Sequence, residues 1–222
     1  MCGYVSHEGI IMIAGLKSDM YNEINEDVDN LLLHPNLSRF LSKHDVSAHD
    51  VKQFYFGDEK LSSDSTDKIV DMLGDLNFVI GLHNFIEIQS NIPNIPTYFY
   101  KFEYEIPNSQ VKKFFGLPNI KGTCHMEELG FLFYQNLSKL FGQQPSTPDS
   151  VGHVLIQRFT ELWTNFAKTG NPTPRKTDAT PIKWEPVDCS NEYKCLHITD
   201  KLDMITEFNI TQQLCDSVRN KT

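Results

Sequence analysis

Apolar positions along this 222-residue chain alternate between strand-like and helix-like spacing. Met1 to Val5 is a short apolar run that predicts the end of a buried strand, and the chain turns through Ser6-His7-Glu8-Gly9. A second apolar run, Ile10 to Leu16, follows at once. From Tyr21 to Leu33, Ile24, Val28, Leu31 and Leu32 recur at helical spacing, and His34-Pro35 ends that helix because a residue before proline avoids the helical region. Shorter helices are predicted over Pro35 to Leu41 and Ala48 to Tyr55, with Gly57 as a stop. The longest helical pattern runs from Ser62 to Ser90. Asp64-Ser65-Thr66-Asp67 supplies side-chain oxygens for its first amides, and Ile69, Met72, Leu73, Leu76, Val79, Ile80 and Phe85 form its apolar stripe. Gly74 and Gly81 weaken it and mark a bend.

The proline-rich segment Asn91 to Pro96 breaks this pattern. Thr97 to Glu105, TYFYKFEYE, then alternates aromatic and polar residues and is the clearest strand. An irregular loop from Pro107 to Thr123 leads to His125. Helices are predicted over Met126 to Phe141 and Val151 to Thr169, the second closed by Gly170 and Asn171-Pro172. A surface loop follows from Pro172 to Trp184, then a last strand from Tyr193 to Ile198 and a final helix from about Lys201. Strands alternating with long helices predict α/β architecture. Three strands separated by such long stretches leave the sheet incomplete.

Composition narrows the function classes. Hydrophobic residues make up 40% and charged residues 22% of the chain, an ordinary globular balance. The net charge of -9 opposes non-specific nucleic-acid binding and anionic membrane surfaces, both of which need a basic footprint. The apolar runs are too short and too interrupted to predict a transmembrane segment. The N-terminal residues have neither the basic start nor the apolar run of a signal peptide. The five cysteines leave at least one unpaired within a monomer. Cys189 and Cys195 allow a small disulfide loop, and scattered free thiols fit equally well. Their spacing with His197 matches no common zinc pattern, and no metal or cofactor is expected. Sequons occur at Asn36, Asn136, Asn209 and Asn220. Asn136 falls on an apolar helix face and suits a glycan least.

Candidate chemistry gathers where strands end. Glu8 follows the first strand, and His125 follows a strand and loop and precedes a helix. Functional groups of open α/β sheets collect at such carboxyl ends. An acid that fixes the imidazole tautomer makes the histidine an oriented general base. The other histidines read as loop, surface or packing residues. Glu127 and Glu128 complement a helix N-terminus, and Glu128 also lies within reach of the histidine loop.

Three segments carry a family resemblance. MCGYVSHEG at residues 1–9, GTCHMEELGFLF at 122–133 and LWTNFAKTGNP at 162–172, with Trp184-Glu185-Pro186 beyond, resemble the C-terminal part of type-B carboxylesterases. These belong to the cholinesterase-like α/β-hydrolases, and the likeness is closest to the insect α-esterases. It covers residues 1–205. The resemblance implies the C-terminal portion of a single α/β-hydrolase domain, with an incomplete central sheet and several long helices. It also implies ester hydrolysis by a Ser-Glu-His triad in which Glu8 is the acid and His125 the base. Triads on this fold run serine, acid, histidine along the chain.

The chain departs from the family pattern: residues 209–222 do not resemble the usual family ending, and there is no G-x-S-x-G and no Gly-Gly pair for an oxyanion hole. The expectation is therefore that an N-terminal portion supplies the nucleophile and that the chain alone is inactive. A small carboxylic ester is the implied substrate. Phe54, Tyr55, Phe78, His83 and Phe85 are candidate pocket residues, each with a core-packing role as the alternative. A non-catalytic binding or adhesion protein of the same fold, or a truncated product, is the alternative function. The sequence leaves a secretory or cytoplasmic location open.

Overall fold

The structure is a computed structural model that describes residues 1–16, 18–31, 35–133, 146–188 and 192–219. Its centre is a four-stranded sheet in the order β1-β2-β3-β4. β1 (Cys2–Val5), β2 (Phe99–Phe102) and β3 (Glu192–Ile198) run parallel, and β4 (Leu202–Phe208) returns antiparallel to β3. Because side chains alternate across a strand, the register sorts two apolar faces. Cys2, Phe99, Cys195 and Ile205 fall on one row, and Gly3, Tyr100, Leu196 and Met204 on the next. Gly3 has no alternative, because a side chain there would collide with the Tyr100 ring.

Helices cover both faces. α1 (Ile10–Ile13), α2 (Ser18–Glu26), α3 (Pro35–Lys43), α4 (Ala48–Phe56), α5 (Thr66–Gly74) and α6 (Ile80–Ser90) fill the connection from β1 to β2. α4 to α6 pack with the last helix, α9 (Ile210–Arg219), over Tyr4, Phe99, Tyr193 and Cys195. α7 (Gln110–Phe114) lies in the loop that leads to His125. α8 (Val151–Thr169) covers the opposite face, where Leu155, Phe159 and Leu162 meet Phe102, Leu196 and Ile198. Full burial of such a side chain contributes roughly 2 kcal/mol. Trp184 closes this layer, and its indole donates to the Phe99 carbonyl at 3.1 Å, so its one polar atom is not stranded.

Most predicted helices form within a few residues of the expected bounds. α8 is capped by Ser150, which accepts the His153 amide, and it ends at Gly170 in the left-handed region. Between Gly74 and Gly81 the long helix does not simply bend. Asp75–Val79 forms a π turn between α5 and α6, an insertion common at functional sites. By length and composition the stretch Ser63–Ser90 would suffice to span a membrane, but 56% of its most apolar window is buried inside the domain.

Three expectations change. A fourth strand occupies Leu202–Phe208, where the final helix was expected to begin; that helix starts at Ile210. β2 is shorter than Thr97–Glu105, because after one more bond, Glu103 to the Ile198 carbonyl, the chain leaves the sheet. Only a 3-10 turn, Glu127–Phe131, forms at the start of the helix predicted over Met126–Phe141, and residues 134–141 lie outside the described set. Cys195 is a free thiol, fully buried under the helices, and Cys189, its partner in the loop that the sequence allowed, lies outside the described residues.

Candidate active site

Two loops zip together beyond the carboxyl ends of β1 and β2. Ser6 N–H donates to the Phe102 carbonyl and His7 N–H to the Thr123 carbonyl, and His7 pairs with Cys124 as an isolated parallel bridge. This brings residues 117 positions apart side by side: His125 Nδ1 lies 2.5 Å from Glu8 Oε2. The other oxygen, Glu8 Oε1, accepts the Val5 amide at 2.9 Å. In β1 the Cys2 and Ser6 amides point to β2, so the alternate Val5 amide points to the open edge. Glu8 satisfies that edge donor and the imidazole at once, and both bonds fix its carboxylate.

Close backbone approach makes this turn possible. Gly9 lies against the Val70 carbonyl and the Gly74 amide, so neither glycine leaves room for a larger residue without movement of α5. The His7 ring lies on Gly122, whose φ of 95° is open to glycine. On the far side, Phe78 from the π turn sits over the His125 ring, with centroids 4.8 Å apart.

The electrostatics favour a charged-ready imidazole. The hydrogen bond to Glu8 raises the His125 pKa against the desolvation that opposes it, and the Glu8 and Glu128 charges add to the rise. Glu128 is itself pushed up to about 7, first by burial and then by Glu8 and Glu127, and its Oε2 is buried without a partner. The His125 side chain is 34% exposed, and with Nδ1 engaged its Nε2 is the nitrogen left free among the described residues. A ring held at Nδ1 and open at Nε2 can take a proton from a nucleophile and return it. Among the described residues no three His, Cys, Asp or Glu side chains converge as a metal set.

The predicted pocket residues separate. Phe54, Tyr55 and His83 line a half-open cavity of about 310 Å³ that also touches Glu8, Asp71, Asp75 and Glu207, but His125 is not part of its wall. Tyr55 donates to Asp75 Oδ2 at 2.6 Å, and burial pushes Asp75 up to about 6. His83 is 2% exposed and accepts the Ile210 amide at 3.2 Å, a helix-capping role. Phe78 touches the histidine instead of this cavity. Phe85 is 48% exposed and stands apart from both. Asn209 is buried, with Nδ2 donating to the Tyr193 hydroxyl and Oδ1 accepting the Thr211 and Gln212 amides, so its amide is committed. The side chains of Asn36 and Asn220 lie outside the described residues.

Sequence reasoning missed two buried charges beside the histidine loop. Lys112 Nζ donates to the Gly122 carbonyl at 2.7 Å and the Ile120 carbonyl at 2.9 Å. Glu127 Oε2 accepts the Cys124 amide at 2.7 Å. A lysine in VKKF carries no local signal that its ammonium will be buried. Glu127 reads as a helix-dipole residue until the turn around His125 is seen.

A family model described as the carboxylesterase family spans residues 1–216. A carboxylic ester hydrolase of Bombus ignitus is 23% identical, over 89% of this chain and 35% of its own length. Esterase B1 of Culex pipiens is 25% identical, over 96% of this chain and 41% of its own length. The juvenile hormone esterase structure from Manduca sexta superposes with a TM-score of 0.70 at 19% identity, covering 98% of this chain and 40% of that one. The chain thus has the α/β-hydrolase fold of that structure, and it spans between a third and just over two fifths of these proteins.

Proposed function

The chain belongs to the carboxylesterase family, and we propose that it is the C-terminal portion of a serine esterase, supplying the acid and base of a Ser-Glu-His triad. The observation that carries this reading is the 2.5 Å contact of His125 Nδ1 with Glu8 Oε2, at two neighbouring strand ends. The serine, the oxyanion hole and the rest of the sheet come from sequence upstream of residue 1. The names of the two relatives above, a carboxylic ester hydrolase and an esterase, support the reaction class.

In this mechanism His125 Nε2 takes the serine proton as the hydroxyl oxygen attacks the ester carbonyl. Glu8 holds the ring through Nδ1 and stabilises the imidazolium that forms. The imidazolium then protonates the leaving alcohol, and an acyl-enzyme remains. Water, deprotonated by the same nitrogen, releases the acid and restores the serine. The substrate is a small carboxylic ester.

The test is hydrolysis of a p-nitrophenyl ester by the intact protein. His125→Ala is expected to lower kcat by about a thousandfold or more, as for other members of a triad. Glu8→Gln is expected to cost on the order of a hundredfold or more through the tautomer. The 222-residue chain by itself is expected to be inactive. Full activity in His125→Ala would overturn the reading, and an intact protein that hydrolyses no ester would favour a binding protein on this fold.

A further inference from the structure

We propose that Lys112 and Glu127 are positioning residues that hold the His125 loop in register with Glu8; the proposal rests on His125 being the base. Lys112 is 2% exposed. Its ammonium has three donors, and the loop takes two of them, through the carbonyls of Ile120 and Gly122. The third points at Glu105, 3.5 Å away on a side chain more than half exposed. Burying an ammonium against carbonyls and one distant carboxylate is costly, and a leucine or methionine would fill the same space without that cost. What the lysine adds is a fixed set of donors under the residues that lead into the histidine.

Glu127 grips the loop from the other end. It is 3% exposed, and its Oε2 accepts the amide of Cys124, the residue immediately before His125. Its own amide donates back to the Cys124 carbonyl at 3.1 Å. Residues 124–127 are therefore closed into one turn with His125 inside it. Met126, the next residue, sits at φ 73°, a left-handed conformation that a methionine rarely adopts. Strained backbone of this kind persists where its surroundings over-determine it, and here Glu127 supplies the closure. Glu127 Oε1 has no hydrogen bond; burial raises the pKa of the carboxyl, and the Ser109 hydroxyl, the Cys124 amide and the Lys112 ammonium oppose that rise. The two buried side chains thus grip the loop separately, Lys112 from α7 and Glu127 from the turn after the histidine. Neither touches His125. They act on it through the backbone on either side.

The experiment follows the imidazole itself. In the intact protein, labelled with ¹⁵N-histidine, the His125 titration midpoint and the exchange of its Nδ1 proton with water are read by NMR. Both depend on the contact with Glu8, with Glu128 as the other acid facing the ring. Lys112→Met and Glu127→Leu are expected to move the midpoint at least half a unit toward the ordinary imidazole value. They are also expected to speed Nδ1 proton exchange at least tenfold, while a cooperative unfolding transition and the titration of His83 are retained. Glu127→Gln keeps an acceptor for the Cys124 amide and is expected to match the unsubstituted protein.

Loss of stability with an unmoved midpoint in both variants would mean that the pair only packs, and would overturn the proposal. Should either variant fail to fold, the Cys124 amide in the unsubstituted protein decides the matter: protection well above an open loop supports the clamp, and loop-like exchange sinks it. The imidazole readout needs no turnover. An active His125→Ala enzyme would therefore remove the catalytic reading and leave the positioning claim to be judged on the titration.

Discussion

Glu8 works because its two oxygens face different demands. Oε1 satisfies a strand amide that points away from β2, and Oε2 holds Nδ1 of His125. Replacement by glutamine keeps the size but puts an amide where a carboxylate stabilised the imidazolium. His125 has a raised pKa in the fold, so the stabilisation from its pairing is fully present below the unfolded value near 6.5 and is lost as pH rises through the folded value. The stability difference between the natural chain and Glu8→Gln is accordingly expected to be largest near pH 6 and to shrink toward pH 9, as read by urea titration. The rate of ester hydrolysis should fall on the acid side as His125 takes up its proton, at a pH above 6.5. Gly122 offers a second test at this scale. An alanine there would meet the His7 ring and would sit at φ 95°. Gly122→Ala is expected to cost on the order of 2 kcal/mol in unfolding free energy, from strain and displacement together. Loss of less than a few tenths would show that the loop adapts freely. Glu8 and His125 stood out in the sequence as groups at turns, and it was the likeness of residues 1–9 and 122–133 to carboxylesterase segments that paired them. Lys112 was not, since its burial depends on where residues 120–122 fold back.

The start of α9 shows how one element is held by two others and its own cap. Asn209 caps the first amides, Tyr193 on β3 holds Asn209, and His83 on α6 accepts the Ile210 amide. Burial lowers the His83 pKa to about 4, and its Nε2 has no partner. The folded state thus keeps this ring neutral, whereas the unfolded chain binds a proton from about pH 6.5 downward. Stability from this group is fully present above 6.5 and is lost as pH falls toward 4, by up to about 3 kcal/mol. Asp75 and Glu128 have raised values and push the other way, because they resist ionisation in the fold as pH rises. The comparison is therefore with His83→Gln, whose amide oxygen accepts the same bond without titrating. Its unfolding free energy is expected to lose less than the natural chain's between pH 7 and 4.5, and parallel curves would rule the mechanism out. β4, which leads into α9, was half legible. Leu202, Ile205 and Phe208 recur every third residue, which fits a helix, while Leu202, Met204 and Thr206 alternate as a strand requires. Seven cross-strand pairs with β3 settle the matter for the strand, and the pattern within β4 by itself does not report partners that lie on the preceding strand of the hairpin.

At the scale of the molecule the sheet is asymmetric. β4 shields one side of β3, but the outer edge of β1 has no strand beside it among the described residues. The Val5 amide on that side is taken by Glu8, which leaves Gly3 to present the exposed backbone. An open edge on an apolar strand is a template for pairing. The three motifs in the sequence pointed to the fold, because they recur at fixed order and spacing. The edge was legible only as a shortage of strands. Its consequence is testable without knowing the substrate. The 222-residue chain alone is expected to self-associate in sedimentation velocity despite its net charge of -9, because edge pairing and apolar burial act at contact range while exposed charges are screened within about 10 Å at 0.1 M salt. An upstream portion carrying a G-x-S-x-G segment, added in trans, is expected to suppress that association and to restore hydrolysis of an aryl ester. The two effects should appear over the same concentration range, since under the proposed function one docking event supplies both a strand beside β1 and the serine. A monodisperse chain that unfolds cooperatively by itself, unaffected by the upstream portion, would mean that β1 is a finished edge, and the esterase reading would then need a nucleophile from elsewhere.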